Sequence, residues 1–313
     1  MLPFYEYLSI ALMVTFILTL FAGYPVAWLL AGLSLIFAAL GITLGQQFGF
    51  DTFLMTSWTK VGGVIDRFDA IMSNWVLVSL PMFVYMGLML DRSGVADIMM
   101  RNFVKVFGGI RGGLGLTVVV IGIMLAASTG IVGASVVLLA MLSMPIMLQH
   151  NYSKAIASGV VAASGTLGIL IPPSIMLVLM ADQVSVSVGD LFAGALIPGV
   201  GLGLLYMVFL VVLGFVRPDL VPPRADDAEK LTPRQVGIAF LSTLPTFGLI
   251  LLVLGSIFFG IATPTEASGL GAAGAIVLAA ANRKLSWKVI REVGIETTLT
   301  TSFIFAIFIG ATV

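Results

Sequence analysis

Apolar runs of nearly membrane-spanning length recur along this chain. With their flanks, the runs at 8–21, 202–216 and 247–261 approach the roughly 20 residues that a transmembrane helix needs. Hydrophobic residues make up 59% of the 313 residues and charged residues only 10%. A soluble domain does not need so large a share of hydrophobic residues. Because only helices and closed barrels can span a bilayer, runs of this length indicate helices. The sequence therefore predicts an all-α polytopic membrane protein.

The composition excludes several functions. Basic and acidic residues balance at 15 each, so no net charge points to nucleic acid. The absence of cysteine excludes disulfides and thiolate sites, and the single histidine, His150, cannot build a multi-histidine metal site. An intramembrane enzyme needs a nucleophile–base pair or a metal cluster, so we predict no enzymatic activity. A channel is disfavoured because no filter motif or charged pore-lining helix is visible.

The distribution of Lys and Arg predicts the topology. The segments 91–112, 217–235 and 283–293 carry four Lys or Arg each, whereas 182–190 and 259–264 carry none. The positive-inside rule places the first three in the cytoplasm and the other two outside. The predicted single crossings are 8–22, 26–44, 73–90, 155–181, 191–216, 236–258 and 265–282, with a periplasmic N-terminus and interfacial helices within 46–72 and 91–112. No Lys or Arg precedes Lys60, so the first span is not a signal peptide and is expected to be retained.

The segment 113–149 must then start and finish in the cytoplasm. Its 37 residues cannot make two full spans, which need about 40 residues plus a turn. A single span would invert every later loop. We therefore predict a re-entrant helical hairpin that turns near Ser128, Thr129 and Gly130. The helix that follows is predicted to break at Ser164-Gly165-Thr166, and again at Pro172-Pro173, where proline removes N–H donors.

These two breaks form the candidate functional site. Broken helices in a bilayer leave backbone groups unsatisfied unless they line a cavity, and such breaks are the usual ion and substrate sites of secondary transporters. The candidate Na⁺ ligands, with an adjoining substrate site, are Ser128, Thr129, Gly130, Ser164, Gly165 and Thr166. Weaker substrate candidates are Ser135, Pro172, Pro173 and Ser174. The alternative is that these small residues serve only close packing and hydrogen bonds to the preceding helical turn.

Other polar residues favour structural roles. Glu266 follows Thr263 and Pro264, a pattern typical of a helix start with a carboxylate in its first turn. His150 and Lys154 are expected to hold the base of the hairpin at the interface. Small residues four apart, as at Gly199 and Gly203, indicate only close helix packing.

Several motifs resemble those of a known family. They are Ala-Ala-Ser-Thr-Gly at 126–130, Ser-Gly-Thr-Leu-Gly-Ile-Leu-Ile-Pro-Pro-Ser at 164–174, and the segments 186–199 and 262–267. Together they resemble the large membrane subunit of tripartite ATP-independent periplasmic (TRAP) transporters, the DctM-like family. The resemblance runs in order along nearly the whole chain, from the turn at 23–26 onward.

This resemblance implies an ion-transporter-superfamily fold of two inverted repeats, each with a re-entrant hairpin and a broken helix. The implied domains are scaffold spans and interfacial helices (1–112), the first hairpin and broken helix (113–181), a connecting span and linker (182–235), and the start of repeat two (236–313). Because the apolar run stops at Val313 with no polar flank, we expect the chain to be truncated at its C-terminus. The large subunit of the family is longer, so the resemblance implies that the second repeat is incomplete.

The implied function is Na⁺-coupled uptake of a small organic acid across the bacterial inner membrane by an elevator motion. The implied partners are a small four-helix membrane subunit and a periplasmic substrate-binding protein. A stand-alone Na⁺/organic-anion symporter remains the alternative. No arginine lies within a predicted span, so helix N-termini at the breaks are the expected carboxylate-binding device. Acids, keto acids and sugar acids all remain open as substrates.

Overall fold

The computed structural model describes residues 3–50, 52, 57–107, 109–129, 132–222 and 233–313. All regular structure in this part of the chain is helical. Contacts between Cα atoms divide the chain into two compact units, Met1–Asn74 with Thr298–Val313, and Trp75–Thr297. The prediction of an all-α polytopic protein is therefore confirmed.

The first unit contains the two N-terminal apolar helices. Its elements are α1 (Phe4–Phe21), α2 (Val26–Phe48), α3 (Trp58–Gly62) and α4 (Val64–Met72). Gly23, with φ of 85°, and Pro25 end α1 and start α2, since glycine accepts the left-handed backbone and proline cannot continue a helix. Helix α4 buries Ile71 and exposes Asp66 and Asp69 on its other face, as expected of the predicted interfacial helix.

The second unit contains the remaining helices. After a 3₁₀ turn at Trp75–Val78 come α5 (Ser79–Arg92), α6 (Val95–Phe107), α7 (Gly113–Thr129), α8 (Val132–Gln149), α9 (Lys154–Thr166), α10 (Ile175–Val184), α11 (Val188–Val216), α12 (Pro233–Phe258), α13 (Pro264–Ala281) and α14 (Trp287–Thr312). The last helix belongs to this unit up to Thr297 and to the first unit beyond it.

Helix α7 lies at the centre of the second unit. It contacts α5, α6, α8, α9, α11 and α12. It is apolar on all sides, which is the pattern of a buried helix, and it buries Leu116, Val119 and Ile121. Glycines allow α11 to approach closely, since a Cβ on Gly203 would lie 2.6 Å from Ile123 Cδ1. The close packing expected at Gly203 is confirmed.

Helix α13 packs on α5 through a stripe of small residues. Ala267, Gly271, Ala275 and Ala279 follow at intervals of four and are buried, so that the two helices approach closely. The start of α13 is a capping box. Glu266 N donates to Thr263 Oγ1 at 3.3 Å, and Thr263 N donates to Glu266 Oε2 at 2.8 Å. The capping role predicted for Glu266 is confirmed.

Among the described residues, six helices are long and apolar enough to cross a membrane. They are Phe4–Phe21, Val26–Phe48, Trp75–Arg92, Val188–Val216, Val236–Phe258 and Trp287–Thr312. The crossing predicted at 265–282 forms α13, but α13 is not among the six, because its first half is rich in glycine, alanine and polar residues and contains Glu266.

Candidate functional site

The site begins with two consecutive apolar helices. Helices α7 and α8 have 17 and 18 residues, so they are about 25 and 27 Å long and shorter than the roughly 30 Å hydrocarbon core. They pack against one another, as the predicted helical hairpin requires. The backbone of Ser128 and Thr129 completes the last turn of α7, whereas Gly130 and all three side-chain positions lie outside the described residues.

The helix after the hairpin is interrupted, but not where the sequence predicts. Ser164, Gly165 and Thr166 are helical and complete α9. A 3₁₀ turn at Leu167–Ile169 follows, and regular helix is lost from 170 to 174 before α10 begins. The predicted break at 164–166 is therefore wrong. The α-helix continues through Thr166, and regular helix is lost over 170–174, around Pro172 and Pro173, because proline lacks the backbone N–H donor that Ser, Gly and Thr keep.

A hydroxyl group within the break, that of Ser174, bonds the backbone at the start of the interruption. Pro172, Pro173 and Ser174 are all buried. Ser174 Oγ donates a hydrogen bond to the carbonyl oxygen of Ile169 at 2.8 Å, which satisfies an acceptor that the interruption leaves free. Helix α11 lies against the same segment, since a Cβ on Gly199 would lie 3.1 Å from the Leu170 carbonyl oxygen. Ser174 therefore has a structural partner here.

Glycine contacts bring α9 against both helices of the hairpin. A Cβ on Gly122 of α7 would lie 2.6 Å from Ser164 Cβ and 3.0 Å from its carbonyl oxygen. A Cβ on Gly165 would collide with Val136 of α8. Ser164 and Gly165 are thus held at the crossing of three helices, next to Ser135, which is also buried.

Ser164 is one of five residues in the described part of the chain with a buried side-chain oxygen that has no hydrogen-bond partner. Its residue exposure is 0%, and its Oγ is a buried atom without a hydrogen-bond partner. Most serines in apolar helices bond the preceding turn, as Thr166 does when its Oγ1 donates to the Ala163 carbonyl oxygen at 2.8 Å. Thr166 is also exposed. Among the predicted ligands whose side chains the structure describes, Ser164 therefore has a free buried oxygen, while Gly165 and Thr166 act in packing and local bonding.

The break lies level with the start of α8. Helices α8 and α9 are successive and antiparallel, and Gly165 meets Val136. Leu170 is five residues beyond Gly165, and α8 begins at Val132, four residues before Val136. At 1.5 Å per residue, these two points lie within about 2 Å in height. The first residue of the break therefore lies at the depth of the N-terminus of α8, whose backbone N–H groups favour a negative charge, and α10 begins five residues further along the chain.

Backbone hydrogen bonds hold the base of the hairpin. Gly112 N donates to the Val221 carbonyl oxygen at 3.2 Å, and Ser153 N donates to the Leu220 carbonyl oxygen at 3.0 Å. The segment after α11 therefore joins the start of α7 to the start of α9. These bonds involve main-chain atoms only, so residue types gave no signal for them.

Tyr152 completes this base. It is 3% exposed, and its hydroxyl accepts a hydrogen bond from Gly115 N at 3.5 Å. Burial raises the pKa of Tyr152 to about 12, and backbone hydrogen bonds from Gly115 and Leu114 oppose that rise. His150, expected to hold the base, instead bonds the Ile146 carbonyl oxygen of its own helix through Nδ1, and Lys154 is exposed. Tyr152 was missed because an aromatic residue at a helix junction is usually core.

Acidic ligands do not gather at this site. No group of three or more His, Cys, Asp or Glu that could hold a metal ion occurs within the described ranges. Any cation bound between α7 and α9 would have to be held by hydroxyl and carbonyl oxygens, which suits a hard monovalent ion.

An all-α polytopic protein in which a helical hairpin packs on an interrupted helix has the architecture of a secondary transporter. A family model described as "Tripartite ATP-independent periplasmic transporter, DctM component" matches residues 13–313, and the chain belongs to this family. The family consists of transporter components rather than enzymes. With its long apolar helices, the protein is a multi-pass protein of the bacterial inner membrane.

The names of the relatives mention different substrates. The chain is 31% identical over 238 residues to the C4-dicarboxylate TRAP transporter large permease protein DctM of Vibrio cholerae, covering 74% of this chain and 51% of that protein. It is 29% identical to the sialic acid TRAP transporter large permease protein SiaM of Vibrio cholerae, covering 94% and 64%. It is 28% identical to the 2,3-diketo-L-gulonate TRAP transporter large permease protein YiaN of Escherichia coli, covering 93% and 64%. The chain spans about half the length of the C4-dicarboxylate relative.

Proposed function

We propose that this chain acts as the large membrane subunit of a Na⁺-coupled, binding-protein-dependent importer of a small organic acid. Family membership supports the transporter class. The proposed motion is of the elevator type, with the hairpin and interrupted helix moving as one body. The shared packing of α7, α8 and α9 and the backbone bonds at their base support a rigid moving unit.

The observation that carries Na⁺ coupling is the free oxygen of Ser164. A buried hydroxyl without a partner costs about 1–3 kcal/mol, which a bound cation would offset. Na⁺ is a hard ion that broken-helix transporters hold with oxygen atoms. We propose that Ser128, Thr129 and Gly130 supply further oxygens from the hairpin.

The proposed substrate position is beside the break, near the start of α8 and the start of α10. Helix N-termini carry unpaired N–H groups, and we propose that these groups bind the carboxylate without an arginine. Pro172 and Pro173 would shape the wall. Because the relatives' names give a dicarboxylate, a sialic acid and a diketo acid, we propose only the class of organic acid.

The proposed partners are a small four-helix membrane subunit and a periplasmic binding protein. Helix α1 buries none of its residues and exposes Met13 and Leu18 to about two thirds, which supports a further membrane partner or lipid on this helix. The N-terminus is proposed to be periplasmic, since this orientation places the basic segments in the cytoplasm.

Uptake in proteoliposomes tests the proposal. The large subunit would be reconstituted with its small subunit and binding protein, and radiolabelled organic acids supplied under an inward Na⁺ gradient. We expect uptake to require both Na⁺ and the binding protein. Ser164→Ala should lower uptake and its Na⁺ dependence, while Ser158→Ala, whose Oγ bonds the Lys154 carbonyl oxygen on the exposed face of α9, should not. Uptake independent of the binding protein would favour the stand-alone symporter.

A further inference from the structure

An apolar cavity lies between α7, α9 and α11. Its volume is about 380 Å³, and its walls include Val119 of α7, Gly159 and Ala163 of α9, and Tyr206 and Phe209 of α11. Gly159 and Ala163 are four residues apart on one face of α9, and the cavity exists there because glycine has no side chain and alanine has only a methyl group. A bound water needs two to four polar partners, and the lining of this cavity, which is open on one side, is almost wholly apolar. This cavity therefore suits a hydrocarbon chain rather than water.

The cavity continues into an exposed apolar face of α11. Leu205 and Phe209, which line the cavity, are 64% and 56% exposed. Further along the same helix, Val212 and Val216 are also exposed. An apolar path thus leads from the cavity to the end of α11, and no break in the helix interrupts it.

Two arginines stand at the end of this path. Arg217 follows α11 and lies seven residues beyond the cavity residue Leu210, about 10 Å along the helix axis. Eleven residues separate it from Tyr206, close to three helical turns, so both lie on nearly the same side. Arg111 also lies against this end of α11, because a Cβ on Gly214, three residues before Arg217, would lie 3.2 Å from Arg111 Cβ.

Both arginines are available to an anion. Arg111 and Arg217 are exposed, and neither forms a salt bridge within the described part of the chain. The exposed Asp219 is near Arg217 in sequence and likewise forms no salt bridge there. A guanidinium matches the geometry of a phosphate with two parallel hydrogen bonds.

We propose that this face binds one anionic phospholipid, with an acyl chain in the cavity and the phosphate between Arg111 and Arg217. The separation of about 10 Å between charge and cavity matches a lipid whose headgroup stays at the interface while its chain enters the bilayer core. The site goes beyond the proposed transport function. Ser164 borders the cavity, but its Oγ is buried, so lipid binding does not depend on a coupling ion.

Native mass spectrometry of the purified protein in non-ionic detergent tests this site. The probes are phosphatidylglycerol and phosphatidylcholine with the same acyl chains. The parent protein should retain one phosphatidylglycerol in preference to phosphatidylcholine. Each of Arg111→Gln and Arg217→Gln should lower this retention roughly fivefold, the effect expected of one basic residue near an anionic headgroup. Arg101→Gln, an exposed arginine on α6, is the matched control and should change nothing.

Filling the cavity tests the acyl chain separately. A Cβ on Gly159 meets no atom within 4 Å, so the side chain of Gly159→Leu can occupy the cavity without moving the backbone. Retention should fall several-fold. Gly194→Leu is the control, since Gly194 on α11 is equally open and does not line the cavity.

Equal retention of both lipids by the parent, or undiminished phosphatidylglycerol in Gly159→Leu, would overturn the proposal in favour of unspecific annular lipid. If Gly159→Leu does not purify as a monodisperse protein, Ala163→Leu fills the same cavity and is judged by the same criterion.

Discussion

Helices α1 and α7 are both apolar and nearly equal in length, yet they differ in their surroundings. Helix α1 has 18 residues and buries none of them, whereas α7 has 17 and is buried among six neighbouring helices. The glycines of α7 meet other backbones, as at Gly122, while Gly32 of the neighbouring α2 meets nothing within 4 Å.

The unequal burial of α1 and α7 shows that hydropathy does not distinguish a helix that faces lipid from one that forms a protein core. Close contacts do so, and they depend on small residues in the right register. Around α7, one added methyl group should therefore matter, whereas at an open helix position such as Gly32 it should not.

Gly122→Ala should destabilise the protein by about 3 kcal/mol, the upper end for overpacking a closed interface. The new methyl group would lie 2.6 Å from Ser164 Cβ. Gly32→Ala should instead stabilise by about 0.4–1 kcal/mol, because alanine loses less chain entropy in a helix and has open space there. Unfolding in mixed detergent micelles measures both, and equal effects of the two changes would contradict the contrast.

Ser174→Ala should cost about 1 kcal/mol, since it removes the hydroxyl donor from the part-buried carbonyl oxygen of Ile169. Ser9→Ala in α1 removes a comparable bond to the Tyr5 carbonyl oxygen, but in an exposed position, and should cost less than about 0.5 kcal/mol. The same unfolding measurement applies. A loss at Ser9 as large as that at Ser174 would mean that α1 is buried in the folded protein.

Tyr152→Phe should cost about 1 kcal/mol near neutral pH, because Gly115 N loses its buried acceptor. The raised pKa, about 12 against 10.0, adds a pH dependence. The unfolded state ionises first, so this contribution is present below pH 10 and is lost as pH rises from about 10 to 12. The advantage of the parent over the variant should therefore shrink and then reverse across that range, because two pKa units correspond to about 2.7 kcal/mol. A difference independent of pH would argue against a buried hydroxyl.

Arg92→Gln should have the smallest effect, under about 1 kcal/mol. Arg92 bonds Glu292 and Glu296 of α14 at 3.3 and 2.7 Å, but all three side chains are about 40% exposed. Added salt should weaken the parent's advantage, because exposed ion pairs are screened. An effect above 2 kcal/mol that survives 1 M salt would show that this cluster is part of the core.

The sequence predicted the elements that follow from length and charge. Helices α7 and α8 were located from the number of Lys and Arg in the loops and from the length of the segment 113–149 relative to the bilayer. Both the charges and the length can be read directly from the residues. The cap at Thr263 and Glu266 was predicted for the same reason, since its hydrogen bonds are local. Re-entry of the hairpin and the functional domain boundaries remain predictions.

The sequence did not predict where α9 ends or what holds the hairpin base. Small hydroxyl residues were read as a break at 164–166, but tertiary packing against Gly122 and Val136 keeps them helical. The bonds from Gly112 and Ser153 to the segment after α11 join backbone atoms far apart in the chain, and no side chain marks them. Of the predicted ligands, Ser164 alone could be assigned a free buried oxygen among the described side chains.

The proposed Na⁺ site at Ser164 is tested most directly by the free energy of unfolding, measured in NaCl and in KCl at equal ionic strength. An ion that binds only the folded protein adds about 2.7 kcal/mol at 100 times its dissociation constant. We predict stabilisation by Na⁺ for the parent and for Ser158→Ala, and none for Ser164→Ala. Equal stability of the parent in both salts, or Na⁺ stabilisation that persists in Ser164→Ala, would contradict a Na⁺ site at the crossing of α7 and α9.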